Sequence, residues 1–458
     1  MFREFRKLDI ILLAAAAASL ALSGCSSAPA APPTVAAATA TVQTPATGPA
    51  GAVTATTVVT GTGALTATVA VTGTAAVTST GYLSGTAGSQ ALLAALPPAL
   101  RSLYDHSPDA LMPSAYDGYQ PAARPWLICS AASYQGNPWR AAVENELKVL
   151  VRQFQAAGLA SGFQQAASGG SVTLQAQQLR QFADKGCSVI LTITESPTGL
   201  NDAIAYAYGK GVPVVTMAGP VTSPYAINVD SNHWRWGYDM MDGIGQRLKG
   251  TGNVLMVEGT AGDPVAVAED QGAAAAMANY PGLQVIARVN GNWTASATRA
   301  AVQQALAAHR GTIGAVWTTG SDARVVAAAF RQAARPQPWI TGSLAGDALG
   351  YWKLYPQGFK FFGGALLPGP TGQAGLRVAV RLLEGQHPRL NVLMIPLPSA
   401  SLETLDQWYQ GCMTPASTSI FPVPPADPMP EELMNGYFTN GAATPPYDYG
   451  KTPRPCAG

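Results

Sequence analysis

From residue 126 to residue 396 the chain alternates short apolar runs with longer amphipathic stretches, and no other feature constrains its fold as strongly. Residues 126–131 are apolar and short enough for a strand. Residues 139–157 carry Val143, Leu147, Leu150, Val151 and Phe154 at three- and four-residue spacing, which gives a helix one buried face. The same reading predicts strands near Phe163 and at 187–194, 213–217, 253–258, 284–289, 315–318, 339–341, 359–363 and 392–396. Helices are predicted at 174–184, 200–209, 234–248, 266–279, 295–308, 324–333 and 371–384. Gly186 and Gly211 stand where two of these helices would need a left-handed C-terminal residue. Strands and helices that alternate this regularly build parallel sheets covered on both faces. There are too many units for one compact sheet. The expectation is an α/β protein of two doubly wound parallel-sheet lobes, with a ligand cleft between them at the carboxyl ends of the strands.

The ends of the chain differ in composition. Of 458 residues only 12% are charged, about half the usual ~25%, and a long Ala/Thr/Gly/Ser tract accounts for part of the deficit. The formal charge of +1 gives no electrostatic reason to expect a nucleic acid partner. Arg3, Arg6 and Lys7 precede an apolar stretch at 10–22 that is too short to span a bilayer but suits an export signal. That stretch closes on Leu22-Ser23-Gly24-Cys25, which resembles the lipobox of bacterial lipoproteins. Residues 1–24 are therefore expected to be a signal peptide. Cys25 is expected to carry the lipid that holds an exported protein to a membrane, facing the periplasm or the cell exterior. Residues 25–95 repeat units such as Val59-Thr60-Gly61-Thr62 and read as a flexible tether, since little apolar surface is present to offset ordering entropy. Residues 96–123 form a lead-in, with a short helix over 92–104, and 412–458 form a Pro-rich tail.

Export permits disulfides. Cys412 and Cys456 both lie near the C-terminus and can tether the tail to the body. Cys129 and Cys187 fall on neighbouring predicted strands with an offset of about three residues. At ~3.3 Å per residue that separation is too long for a relaxed bridge, so both are expected to be buried free thiols. No cysteine or histidine spacing suggests a metal.

Directly after the first predicted strand comes Gly136-Asn137-Pro138-Trp139-Arg140, preceded by Ser133-Tyr134. Further on stand Asp184-Lys185-Gly186-Cys187, Gly211-Val212-Pro213-Val214, Asn292-Trp293-Thr294, Ala315-Val316-Trp317-Thr318 and Ile340-Thr341-Gly342, in that order. The series resembles the sugar-binding proteins of ABC importers of the ribose-binding type, over about residues 116–411. The resemblance implies two lobes joined by three crossovers, 124–229 with 366–395 and 230–365 with 396–411. It also implies a monomer without cofactor that closes by hinge motion on a small sugar-like solute and delivers it to a membrane permease. Ligand contacts would come from Tyr134, Asn137, Trp139, Arg140, Glu195, Trp234, Glu269 and Asp322. Trp139, with Tyr134 nearby, offers a stacking face for sugar C–H groups, and Asn137 offers a donor and an acceptor, or else caps the helix.

Three positions depart from that family's pattern. Met217-Ala218-Gly219 stands where an Asp is usual, Glu269 where an Arg is usual, and Gly342-Ser343-Leu344 in place of a Gly-Glu-Asp run; Asp322 is retained. Hydrogen bonds to charged groups contribute roughly 1.5–3 kcal/mol each, so these losses imply either a different ligand or a degenerate site. A different ligand would be less hydroxylated, more apolar, or cationic and drawn to Glu269. His233, Trp234, Trp236 and Trp293 either line an aromatic pocket or pack between helices. The scattered histidines, and the absence of a nucleophile elbow or phosphate loop, argue against an enzyme. A sensor of the same fold is the alternative to a transport protein.

Overall fold

The computed structural model describes residues 82–83, 87–134, 136–444, 446–452 and 454–456. Cys25, the signal peptide and most of the expected tether lie outside the described residues.

Two parallel sheets form the body. The first runs, in spatial order, Val392–Met394, Ala226–Asp230, Val214–Met217, Val189–Thr192, Trp126–Ala132 and Ala160–Ala167. The second runs Trp339–Ile340, Ala315–Thr318, Thr251–Glu258 and Gly282–Asn290. The inner strands Val189–Thr192, Val214–Met217 and Ala315–Thr318 are buried at every residue, as expected of strands covered on both faces. Apolar clusters lie on each face of each sheet.

Local sequence explains the helices. Pro138–Ala156 begins with Asn137 as cap, whose Oδ1 accepts from the Arg140 N–H at 2.8 Å, and with Pro138 where no N–H is needed. Its buried stripe is Val143, Leu147, Leu150, Val151 and Phe154, packed on the first sheet. Gly186 and Gly211 follow two helix ends at φ +82° and +75°. The chain crosses between the sheets three times: after Asp230 into the helix His233–Arg247, after Gly364 into Pro368–Leu383, and between Met394 and Ser399.

Several expectations are corrected. The strand Ala226–Asp230 and the helix Gly346–Leu354 were not foreseen. Residues 87–94, assigned to the tether, form a helix whose Leu93 joins the core beside Leu96, Leu100 and Tyr104. Cys129 and Cys187 are bridged, with Cα atoms 6.0 Å apart. The predicted offset is present, since Cys129 pairs with Ile190. Cys187, however, belongs to the turn that closes the helix Val172–Asp184, where its N–H donates to the Phe182 carbonyl at 3.1 Å. It therefore does not extend the strand at strand rise, and its Cα falls within bridging range. A second bridge joins Cys412 and Cys456, with Cα atoms 5.4 Å apart.

The Pro-rich tail is built into both halves. Met413 joins the core of the second sheet, and Gly346 N–H donates to the Ile420 carbonyl at 2.7 Å. Beyond Phe421 the chain passes to the first half, where Met429, Met434, Tyr437 and Phe438 enter its core. There the buried Arg377 guanidinium donates to Asp427 at 3.0 Å and Glu431 at 2.6 Å, and Arg381 pairs with Glu431. Cys456 then returns the chain to Cys412. Residues 412–456 thus strap one half to the other.

Candidate functional site

In each sheet the strand order reverses beside its first strand, Trp126–Ala132 or Thr251–Glu258, and the loops leaving the carboxyl ends there face one another. Between them lies a cavity of about 120 Å³. The first half supplies Asn137, Trp139, Arg140, Ile193 and Ala218, and the second supplies Glu269, Trp293, Thr319, Asp322 and Asp347. His233 lines it from the first crossover, and Phe421 and Thr418 line it from the strap.

Arg140 reaches across the cleft. Its guanidinium donates to the Ser133 hydroxyl, lies 4.4 Å from the Tyr134 ring centroid and stands 3.8 Å from Asp263 on the other half. Trp139 donates its indole N–H to the Leu366 carbonyl in the second crossover at 3.0 Å, which fixes its ring at the cavity wall. Opposite, the Trp293 ring lies against Gly259 and Gly320, one and two residues beyond the ends of two strands, and a Cβ on either would strike it. Ala218, Asn292 and Trp293 adopt left-handed backbone conformations at φ +50° on the loops around the cavity, an unfavourable state that concentrates at functional sites.

The acidic groups are fixed from behind. His233 lies between two buried carboxylates, with Nε2 2.9 Å from Asp230 and Nδ1 3.2 Å from Glu269. Both ring nitrogens face acceptors, so the doubly protonated ring satisfies the site. Burial opposes that charge, but Asp230 and then Glu269 outweigh it and raise the His233 pKa. Asp322 accepts from the Thr318 hydroxyl at 2.9 Å and from Thr298, and the Arg324 guanidinium donates to Asp347 at 2.7 Å. Burial raises the pKa of Glu269, Asp322 and Asp347, while these donors act in the opposite sense.

Residues 128–387 match the periplasmic binding protein domain family. The chain belongs to that family. Over 123 residues it is 27% identical to the xylitol-binding protein of Mycolicibacterium smegmatis, across 27% of this chain and 35% of that one. The match therefore spans about a third of that relative's length. Among solved structures, an ABC transporter solute binding protein from Thermobispora bispora is 25% identical, with a TM-score of 0.59 over 63% of this chain and 89% of that one. An ABC transporter solute binding protein from Mycobacterium smegmatis with bound glycerol shares the fold at 18% identity. Its TM-score is 0.57, over 64% of this chain and 99% of that one. The periplasmic binding fold of two parallel-sheet α/β lobes is the architecture that the alternating sequence pattern implied.

Of the eight residues singled out in the sequence, the cavity brings together Asn137, Trp139, Arg140, Glu269 and Asp322. Tyr134 stands behind Arg140 rather than on the wall. Glu195 does not line the cavity, and its backbone N–H donates to the Gln175 side-chain oxygen at 3.0 Å. Trp234 stacks between His106 and Tyr238, with centroids 4.7 and 5.2 Å away, and is not part of the wall. Asp347 and Phe421 were not foreseen. Asp347 restores a carboxylate close to the position where Gly342-Ser343-Leu344 had suggested one was lost. Its only sequence signal is the Gly346-Asp347 start of an unforeseen helix.

Proposed function

We propose that the protein is the substrate-binding component of an ABC importer, lipid-anchored through Cys25, which captures a small sugar or polyol between its lobes and delivers it to a membrane permease. The observation that carries this reading is the cavity itself. Its walls come from both lobes at the carboxyl ends of their strands, with aromatic faces at Trp139 and Trp293 and carboxylates at Glu269, Asp322 and Asp347. A polyol presents C–H surface and hydroxyl donors, which suit those two kinds of group. The names of the relatives point the same way, toward xylitol and glycerol. The Arg140–Asp263 pair would form or part as the lobes close or open.

Among the described residues no helix is long and apolar enough to cross a membrane. Calorimetric titration with xylitol, glycerol, pentoses and hexoses tests the solute assignment. Saturable binding that Trp139→Ala abolishes would support it, and no heat with any of them would count against it. Radiolabelled palmitate incorporated in cells, and lost in Cys25→Ser, tests the anchor.

A further inference from the structure

The cavity contains more hydrogen-bond acceptors and negative charge than a neutral solute needs. Its donors are largely in use. Arg140 is engaged by Ser133 and Asp263, the Trp139 indole by Leu366, and the Ser343 hydroxyl by Leu366 as well, at 2.8 Å. Two buried carboxylate oxygens of its lining residues lack a donor. Glu269 Oε2 and Asp347 Oδ1 have no hydrogen-bond partner among the described residues, and their residues are only 1% and 2% exposed. A buried carboxylate oxygen left without a donor is costly, and each belongs to a residue that lines the cavity.

The charges agree. Arg140 is matched by Asp263 and Arg324 by Asp347, while His233 alone serves both Asp230 and Glu269 and Asp322 has hydroxyl donors only, so the carboxylates outnumber the cations. The Trp139, Trp293 and Phe421 side chains supply ring surface on the same cavity. Carboxylates together with aromatic faces bind ammonium groups, which bring three donors, no acceptor and a positive charge.

We infer that the solute carries a protonated amine: a small amino polyol or amino sugar whose ammonium donates to the free oxygens of Glu269 and Asp347. This rests on the reading of the cleft as a solute site and narrows its chemistry. Glu269 would be the main contributor to selectivity. It is the residue that replaces a cation in the related sequence pattern, and His233 holds its other oxygen in place.

The test pairs neutral solutes with their amino counterparts: glucose with glucosamine, galactose with galactosamine, and xylitol with 1-amino-1-deoxyxylitol. Each is titrated calorimetrically into the whole mature protein at pH 7.5. The expected result is at least one pair in which the amine binds about tenfold tighter or more, with a preference that weakens in high salt. Glu269→Gln should abolish the preference while leaving the fold intact by circular dichroism. Asp347→Asn serves as the second variant if Glu269→Gln does not fold. If neutral members bind as tightly as their amines, the amine inference fails and the solute-binding reading stands. If no member of any pair binds, both fail.

Discussion

Gly237 packs so closely against the backbone of Glu269 that a Cβ there would overlap the Glu269 carbonyl and lie 2.7 Å from its Cα. Gly272 meets the Trp234 carbonyl in the same way, so the helices His233–Arg247 and Pro264–Met277 touch backbone to backbone. That contact sets the distance from His233 to Glu269. Gly237→Ala should destabilise the protein by about 3 kcal/mol through overpacking, as read by urea unfolding. It should also weaken solute binding, because Glu269 is moved away from the histidine. Retained binding with normal stability would show that the helices can separate at no cost.

Arg377 and Arg381 are almost fully buried, and their charges are met by Asp427 and Glu431 of the strap. Removing one partner of a buried pair leaves an uncompensated charge, at a cost of about 3–5 kcal/mol. Glu431→Ala, which strips a carboxylate from both buried guanidinium groups, should therefore lose stability on that scale in denaturant titrations. Lys353→Ala, at an exposed pair with Asp406, should change stability by under about 1 kcal/mol.

The Cys129–Cys187 bridge closes a loop of 58 residues. Constraint of the unfolded chain by a loop of that length stabilises the fold by about 4 kcal/mol in the chain-entropy account. The double variant Cys129→Ala/Cys187→Ala should melt well below the parent under oxidising conditions. Under reducing conditions the two should converge, and differential scanning calorimetry reads both.

Asp109 is pushed up to about 6, first by desolvation and then by the negative charge of Asp230, with His233 acting in the opposite sense. The folded protein therefore holds this proton more tightly than the unfolded chain. The stability contributed by Asp109 is full below its ordinary value near 3.8 and is lost as pH rises through about 6. His233, raised by Asp230 and Glu269 against the opposing effect of burial, loses its own contribution only at higher pH, above its ordinary value of 6.5. In Asp109→Asn the melting temperature relative to the parent should be more favourable at pH 7.5 than at pH 4. An equal difference at both values would show that Asp109 titrates normally.

The sequence was informative wherever position along a strand decides what a residue does. Asn137, Trp139 and Arg140 follow a strand, and the carboxyl end of that strand faces the cleft whatever the details of packing. Helix phase is less legible. His233 and Trp234 are adjacent, and one residue of a helix turns a side chain by about 100°. The histidine therefore enters the cavity while the tryptophan stacks outside on His106 and Tyr238. The helix Gly346–Leu354 was hidden because Gly346 and Gly350 disfavour a helix by propensity. The structure keeps them because Ile420 and Thr414 of the strap pack directly on their backbones. Phe421 had no periodic pattern around it. Only the path of the strap brings it to the solute cavity.

The strap has a mechanical consequence. Phe421 sits at the cleft with the second half and Asp427 is bound to Arg377 in the first, six peptide steps apart. Fully extended, such a segment reaches about 20 Å. The return from Thr452, which is within hydrogen-bond reach of Gln373, to Cys456 is shorter still. While both ends stay docked, the jaws cannot part further than this ring of chain allows. The upper limit on the mouth, and so on the size of molecule admitted, is set by chain length at its edge.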